Sequence, residues 1–369
     1  MRAGVALILF CAPLPVAGAA EETGFPEQYE RVTVLEVSAG EATSDVGFHI
    51  PTWEGDDWYG PSDFAIAPDG ALYIADVWNR AIKRFSPDGA AEVLVSLGPR
   101  WSHDYYWAIA VTADRLYACS ERELWGLNPR GQPQWRIAAE QLSASLVRTG
   151  SGTTDLVPVD LAPVGDTLAG ASRLVFGVPG QHPLGVGPHG GALVVARMTR
   201  DSQVVLHFSR DGFLKGTARS CHVDREGRFY DLSGPWAPAP GGTMYKTILA
   251  TEGREVGMRR IGITLPRDSR DRSSPRPNLY AWHVSGQGRL WGTGFYNPSP
   301  EWDKAHPGEP CPSVLRKYSP AGEALAEVEF PLARPWRTCR NVAFDEQGTP
   351  YALEFEGKLM RLVKWVRRQ

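Results

Sequence analysis

The stretch from residue 60 to residue 89, GPSDFAIAPDGALYIADVWNRAIKRFSPDG, constrains the fold of this chain more than any other. Its three short apolar runs are separated by the tight turn Pro68-Asp69-Gly70 and the polar corner Asp76–Asn79, and it ends in a second turn, Ser86-Pro87-Asp88-Gly89. Short runs rich in Ile, Tyr, Phe and Ala between Asp-Gly turns are typical of antiparallel strands. A fourth apolar run, residues 91–97, follows at once. Four strands in about 40 residues predict one blade of a β-propeller.

Parts of this pattern recur along the chain, as expected of repeated blades, and the turn copies that end at residues 89, 131, 212 and 253 are spaced by 42, 81 and 41 residues, or about one or two blade lengths. The aromatic residue of the second strand recurs as Tyr73, Tyr117, Tyr230, Trp291 and Tyr351. The turn after the third strand recurs at residues 86–89, 128–131, 209–212 and 319–322, with a weaker copy at 250–253. Residues 139–185 hold either a long insertion or a degenerate extra blade. We therefore predict an all-β, six-bladed β-propeller, with seven blades as the alternative.

The two ends of the chain carry parts of one further blade. Glu30–Ser38 has the pattern of a strand that stands alone before the first blade. The last repeat supplies only three predicted strands, Val342–Asp345, Thr349–Phe355 and Lys358–Val366. We predict that the N-terminal strand completes the C-terminal blade and closes the ring, because the first strand lacks a partner and the last blade lacks a fourth strand. This pairing is expected to bury the aliphatic residues Val32, Val34, Leu35 and Val37.

The first blade resembles the NHL repeat, in which Pro-x-Asp opens the first strand and Asp-x-x-Asn follows the second. The resemblance is carried by Pro61, Asp63, Ala65, Asp69, Gly70, Tyr73, Asp76, Asn79 and Ile82. It implies a β-propeller, usually of six blades, broadly similar to the senescence-marker and gluconolactonase-like propellers. It says little about function, because propellers carry hydrolases, lyases and pure binding modules alike.

The first 20 residues do not fit the strand pattern. Arg2 is followed by a mostly apolar run, residues 5–16, and then by the small residues Ala17-Gly18-Ala19. This order is typical of a secretory signal. We therefore predict a signal peptide at residues 1–20, cleaved near Ala19 or Ala20, a single propeller domain at residues 21–369, and a secreted or periplasmic location.

The composition narrows the choice of partners. The chain has 39 Gly and 30 Pro among 369 residues, which fits many short strands joined by tight turns. The formal net charge of −3 argues against nucleic acid, whose binding proteins carry a basic surface. No stretch after the signal is long and apolar enough to span a membrane. We expect a monomer that binds an extracytoplasmic protein, peptide or glycan.

The long connections of the predicted blades fall in two classes, between the second and third strands and between blades. In a four-stranded antiparallel blade both classes emerge on the same side, which we call the long-loop face; the tight turns lie on the opposite side, the short-turn face. Binding residues concentrate on such loops, and Trp and Tyr are favoured at recognition surfaces. Asp63 is also a candidate binding residue, because it lies at the start of an inner strand on the same face. Asp56 and Asp57 could join it in an acidic patch for a cation or amine. The predicted ligand-binding residues are Asp56, Asp57, Trp58, Tyr59, Asp63, Trp101, His103, Tyr105, Trp236, Tyr296, Trp302 and Trp336.

His222 and His283 occupy the same position in two blades, each just before a valine, whereas Ala65 and Ala343 fill that position elsewhere. Two imidazoles at equivalent positions of a ring could share a divalent metal, calcium or zinc. Propeller lyases and lactonases that resemble this fold hold metals near the axis. Their acidic ligand set is not recognisable in this chain, so structural histidines are the competing interpretation.

Two further motifs have structural or chemical readings. Asp76 is expected to accept backbone N–H bonds within its corner, with Ser120 and Ser233 in the same role in other blades. Trp101, His103 and Asp104 could form a general-base cluster, although neighbours in sequence seldom meet in that way.

Four cysteines remain once the signal is removed, Cys119, Cys221, Cys311 and Cys339. In a secreted chain four cysteines permit two disulfides in three connectivities. We favour a Cys311–Cys339 pair, since both lie in predicted long loops, and expect Cys119 and Cys221 to be buried thiols.

Two functions from different classes follow. The favoured one is a binding module that uses the long-loop face, with no catalytic residues assigned. The alternative is a metal-dependent hydrolase or lyase, similar to lactonases or peptide-amidating lyases, with its site at the mouth of the central channel. A stoichiometric metal would favour the second.

Overall fold

A computed structural model describes much of the chain beyond its N-terminus. The described residues are 25–50, 59–97, 107–120, 122–139, 175–176, 184–186, 190–199, 202–218, 222–223, 229–231, 236–238, 244–252, 256–265, 278–284, 290–295, 312–319, 323–331, 342–345 and 347–368. The predicted signal peptide lies outside them.

The elements of this described part are β-strands, as the sequence predicts. In chain order they are β1 (Tyr29–Ser38), β2 (Asp63–Ile66), β3 (Leu72–Asp76), β4 (Ala81–Phe85), β5 (Ala91–Ser96), β6 (Ala108–Val111), β7 (Leu116–Cys119), β8 (Glu123–Leu127), β9 (Pro133–Ala138), β10 (Val175–Phe176), β11 (Leu184–Val186), β12 (Ala192–Thr199), β13 (Ser202–Phe208), β14 (Leu214–Ala218), β15 (His222–Val223), β16 (Phe229–Asp231), β17 (Trp236–Pro238), β18 (Met244–Glu252), β19 (Val256–Leu265), β20 (Asn278–Val284), β21 (Leu290–Phe295), β22 (Pro312–Tyr318), β23 (Ala324–Pro331), β24 (Val342–Phe344), β25 (Pro350–Glu356) and β26 (Leu359–Arg367).

Within the described residues these strands form six antiparallel sheets, numbered here in chain order. Sheets 1 and 2 have the strand orders β2-β3-β4-β5 and β6-β7-β8-β9, and sheet 5 has the order β20-β21-β22-β23. Sheet 3 runs β10-β12-β13-β14 with β11 also paired to β12, and sheet 4 runs β15-β16-β18-β17 with β19 also paired to β18. Sheet 6 joins both ends of the chain in the order β1-β26-β25-β24. Neighbouring strands in sheets 1, 2 and 5 are also consecutive in sequence, as in propeller blades.

The predicted pairing of the N-terminal strand with the C-terminal sheet is present. β1 pairs antiparallel with β26 from Tyr29 opposite Arg367 to Ser38 opposite Leu359. The segment before β1 also reaches sheet 5, since the N–H of Glu27 donates to the carbonyl of Leu325 in β23 at 2.9 Å. The first described residues of the chain therefore contact two C-terminal sheets.

The expected burial of the aliphatic residues of β1 is only partly correct. Val37 is buried and Leu35 packs partly buried against the same cluster, but Val34 is 37% exposed. The strand register shifts between Thr33 and Leu35, which leaves Val34 at a bulge. A bulge leaves its extra residue outside the ladder and turns the strand, and this explains why Val34 faces solvent.

The core lies between neighbouring sheets rather than at one centre. One apolar cluster joins sheets 6 and 1, through Leu353 and Met360 on one side and Phe64 and Ile74 on the other. Further clusters join sheets 1 and 2, sheets 2 and 3, and sheets 5 and 6. Sheets 5, 6, 1, 2 and 3 thus pack in succession, and sheets 6, 1 and 2 are each covered on both faces. This packing is that of a β-propeller.

The tight turns form as the repeat predicts. Their glycines have positive φ, which side chains with a Cβ rarely adopt. These are Gly70 (φ 84), Gly89 (φ 88), Gly131 (φ 75) and Gly212 (φ 85). In the described residues no helix is both long and apolar enough to cross a membrane.

Two predictions about single residues have different outcomes. Cys119 is a free, buried thiol, as expected, and burial raises its pKa. Trp236 was expected in a long loop, but it lies in the short strand β17, paired opposite Lys246 of β18. The loop prediction was wrong because the chain folds back here and adds a strand to sheet 4. Cys221, Cys311 and Cys339 lie outside the described residues.

Candidate functional site

The site begins at the corner between β3 and β4, where the side chain of Asp76 organises the backbone. Its Oδ1 accepts the N–H of Asn79 at 3.2 Å, and its Oδ2 accepts the side-chain amide of Asn79 at 2.9 Å. The expected structural role of Asp76 is therefore confirmed. Ser120 has the same role in sheet 2, where its hydroxyl oxygen accepts the N–H groups of Arg122 and Glu123 at 3.3 and 3.2 Å. Ser233 lies outside the described residues.

The segment that follows β1 docks onto this corner. The N–H of Gly47 lies 3.2 Å from both carboxylate oxygens of Asp76, and the amide of Asn79 donates to the carbonyl of Gly40 at 2.7 Å. The segment closes on itself through a bridge between Ala39 and Val46. Residues 39–47, the docked loop, therefore cover one corner of sheet 1.

Lys83 lies under the docked loop and is only 1% exposed. Its Nζ lies 3.0 Å from Asp76 Oδ2 and donates to the carbonyls of Ala42 and Asp45 at 3.1 and 2.7 Å. Burial raises the pKa of the Asp76 carboxyl, and the nearby ammonium of Lys83 opposes that shift. A buried charge pair of this kind is tolerated because each partner also makes further hydrogen bonds.

Two partly exposed aromatic rings stand beside the docked loop, at the long-loop face of sheet 1. Tyr59 is 36% exposed and Trp78 is 41% exposed. Their ring centroids are 5.0 Å apart and the planes are inclined at 45°. We call these two residues the aromatic pair. They are candidates for ligand binding because aromatic rings bury a large area at little entropic cost.

The backbone fixes both members of the aromatic pair. Tyr59 forms a backbone bridge with His49. The N–H of His49 donates to the carbonyl of Tyr59 at 2.7 Å, and the N–H of Tyr59 donates to the carbonyl of His49 at 3.2 Å. The His49 ring lies 6.4 Å from the Tyr59 ring. Trp78 packs on Gly47, where an added Cβ would come within 2.6 Å of the indole. A side chain at position 47 would therefore displace Trp78.

Asp63 is not part of an exposed surface. It is fully buried, and its Oδ2 accepts the N–H of Ile109 in β6 at 2.7 Å. The neighbouring Ser62 donates its hydroxyl to the carbonyl of Trp107 at 2.6 Å. Both residues connect the first strands of sheets 1 and 2. Their position therefore favours a structural role over contact with a ligand.

The two candidate metal residues do occupy equivalent strand positions. His222 lies opposite Tyr230 and His283 lies opposite Trp291, just as Ala65 lies opposite Tyr73 in sheet 1. Ala65, Ala110 and Ala343 at this position belong to three different apolar clusters, each between two sheets. At this position of sheets 1, 2 and 6 an alanine therefore packs between two sheets. Among the described residues no group of three His, Cys, Asp or Glu side chains could hold an ion.

Of the other predicted binding residues, Tyr59 is described and exposed as expected. Those outside the described residues are Asp56, Asp57, Trp58, Trp101, His103, Tyr105, Tyr296, Trp302 and Trp336. The sequence reading missed Trp78 and His49 as site residues. Trp78 stands in the connection between the second and third strands, and connections of this class lie on the long-loop face. This placement was the signal that could have found it.

Comparison with known family models supports the NHL repeat in the first part of the chain. The family model of the teneurin NHL domain matches residues 52–168. No curated protein sequence matches the chain. Among solved structures, the chain is similar to a gluconolactonase from Xanthomonas campestris at 15% identity and a TM-score of 0.38, covering 92% of this chain and 100% of the other. It is also similar to virginiamycin B lyase from Staphylococcus aureus at 9% identity and a TM-score of 0.41, again covering 92% and 100%. These values are too low to transfer a substrate or a catalytic residue.

Proposed function

We propose that this NHL-repeat β-propeller is a carbohydrate-binding module that recognises a glycan through its long-loop face. The observation that carries the proposal is the aromatic pair, Tyr59 and Trp78, with ring centroids 5.0 Å apart and both rings partly exposed. Flat aromatic faces suit the apolar faces of sugar rings. Loops held by a rigid scaffold are where such recognition concentrates.

Within the described residues, the size of the aromatic pair favours a glycan over a protein partner. The other large apolar side chains exposed in the described residues lie on β1, β5 and β26 or in the turn at Phe213, away from the aromatic pair. A stable protein interface buries about 800 Å² on each partner. Two neighbouring rings supply only part of such an area, whereas they can cover one or two sugar rings. A short peptide is the competing ligand and is distinguished by the test below.

We also infer that the sheets form a closed ring of six blades. The pairing of β1 with β26 and the apolar cluster between sheets 6 and 1 support this inference. A closed ring places the loops between sheets and between second and third strands on one side, which supports a single binding face.

The ligand is expected outside the cytoplasm. The basic, apolar and small-residue pattern of residues 1–20 supports export to the periplasm or the medium. Cleavage near Ala19 is proposed, and sequencing of the mature N-terminus from an expressing cell tests it.

The binding proposal is tested by screening the mature protein on a glycan array and a peptide array. Trp78→Ala and Tyr59→Ala are each expected to weaken glycan binding by about tenfold or more, as for central aromatic contacts. Phe213→Ala is the matched control, because Phe213 is an aromatic residue 52% exposed in a turn of the short-turn face. Binding of peptides alone, or binding unaffected by changes at Tyr59 and Trp78, contradicts the proposal.

The second candidate function is a metal-dependent hydrolase or lyase. One observation favours it, the equivalent strand positions of His222 and His283 in sheets 4 and 5. Metal analysis of the purified protein after loading with zinc or calcium tests it. A stoichiometric metal that is lost in His222→Ala supports this function, and the absence of bound metal after loading removes it.

A further inference from the structure

We propose that Lys83 is the positioning residue of the aromatic pair, and that its ammonium fills an oxygen-lined site built to hold one primary ammonium group. The inference rests on the proposed function in one respect: the aromatic pair that Lys83 positions is the proposed binding surface. The site itself is defined by contacts that do not depend on any ligand.

The number of donors matches the number of acceptors. A lysine ammonium has three N–H donors and no acceptor. Nζ of Lys83 has three oxygen partners, the carbonyl of Ala42 at 3.1 Å, the carbonyl of Asp45 at 2.7 Å and Oδ2 of Asp76 at 3.0 Å. Because the side chain is 1% exposed, water does not take the place of any of these partners. The ammonium is therefore satisfied by the protein alone.

Other side chains do not reproduce this arrangement. Arginine presents a planar fork of five donors, which does not fit three oxygens arranged around one nitrogen. Methionine has a similar length but no donor, and it would leave two carbonyls and a carboxylate without their partner. Lys83→Arg is therefore expected to behave as a disruptive change rather than a conservative one.

The site is connected to Trp78 through the docked loop. Two of the three oxygens, those of Ala42 and Asp45, belong to that loop. Its last residue, Gly47, contacts the indole of Trp78 and donates to Asp76. Loss of the ammonium releases the loop at its centre, and Trp78 loses the surface on which it packs. Lys83 acts on the binding surface through this loop and does not touch a ligand.

The direct experiment is chemical rescue of Lys83→Ala. The substitution removes three methylene groups and the ammonium, so n-propylammonium is the matching probe. The protein is labelled with 5-fluorotryptophan, and the fluorine resonance of Trp78 is assigned by its absence in Trp78→Phe. In Lys83→Ala this resonance is expected to move or broaden, and added n-propylammonium is expected to restore the wild-type position. Tetramethylammonium, which has no N–H donor, is expected to have no effect.

Control variants separate this effect from general destabilisation. Lys358→Ala removes an exposed lysine in a turn of sheet 6 and is expected to leave the Trp78 resonance unchanged. If Lys83→Ala does not fold, the double variant Asp76→Asn, Lys83→Met removes both charges together. It is expected to melt cooperatively with a displaced Trp78 resonance, because the carbonyls of Ala42 and Asp45 still lack their donor.

The outcomes decide between positioning and a purely structural role. A wild-type Trp78 resonance in Lys83→Ala, or in the double variant, overturns the proposal. Equal restoration by n-propylammonium and tetramethylammonium also overturns it, since the effect would then be one of ionic strength. The readout needs no glycan, so a failure here is distinct from a failure of the carbohydrate-binding function.

Discussion

Oδ2 of Asp63 in sheet 1 accepts the backbone N–H of Ile109 in sheet 2 at 2.7 Å, and both residues are fully buried. The bond joins the first strands of two neighbouring sheets, β2 and β6. A side chain that is part of the repeat pattern thus connects one repeat to the next. This contact explains why an acidic residue is tolerated in a buried position.

The Asp63 contact gives a prediction about stability. Asp63→Ala leaves the buried N–H of Ile109 without its acceptor, which costs about 1–3 kcal/mol in the free energy of unfolding. Asp63→Asn keeps an acceptor oxygen and is expected to lose less. Denaturant unfolding measures both, with Arg130→Ala in an exposed turn as the control, for which we expect about 0.5 kcal/mol or less. Equal losses for the alanine and asparagine variants would contradict the assigned role of the carboxyl oxygen.

The ion pair between Glu27 and Lys317 predicts a pH dependence. Nζ of Lys317 donates to Oε2 of Glu27 at 2.6 Å and to the hydroxyl of Tyr29 at 2.8 Å. Burial raises the pKa of Glu27, but the hydrogen bond and charge of Lys317 oppose it, and the net pKa lies below the ordinary value of 4.5. A lowered pKa stabilises the fold above pH 4.5, and this contribution is lost as the pH falls through the folded-state pKa.

Glu27→Gln tests this dependence. The difference in free energy of unfolding between wild type and variant is expected to be largest near pH 7 and to shrink below about pH 4. Glu30→Gln, at an exposed position of β1, is the control. A difference for Glu27→Gln that stays constant from pH 3 to pH 7 is incompatible with the ion pair as described.

The buried thiol of Cys119 predicts low reactivity. Burial raises the pKa of this thiol, and the thiolate is the reactive form. We expect a thiol reagent to label Cys119 only under denaturing conditions, as determined by mass spectrometry of the Cys119 peptide. Labelling of that peptide in the folded protein at the rate of free cysteine would show that the strand β7 is accessible.

The repeat predicted the parts of the fold that depend on local chemistry. Gly70 and Gly89 adopt the positive φ that their turns require, and Asp76 caps its corner with short-range hydrogen bonds. The pairing of β1 with β26 was predictable because each end of the chain lacked a strand partner. These features follow from a few neighbouring residues or from the count of strands in a blade.

Features that depend on contacts distant in sequence could not be predicted in the same way. In β4 the alternation of Ile82 and Lys83 predicts one buried and one exposed side chain, yet both are buried because the docked loop covers the outer residue. Trp78 and Tyr59 lie side by side because Gly47 leaves room for the Trp78 indole and the backbone bridge to His49 holds Tyr59 in place. Val34 is exposed because of a bulge that the sequence of β1 does not predict.

Native-state hydrogen exchange at β1 tests most directly whether the N-terminal strand closes the propeller. The amides of β1 that pair with β26 are expected to exchange only through global unfolding, with the same free energy as the buried strands β2 and β3. In a closed ring the strand cannot leave without opening the contact between sheets 5 and 6. Exchange of β1 at much lower free energy, while β2 and β3 stay protected, would show that the strand is a detachable edge and would contradict the closed ring.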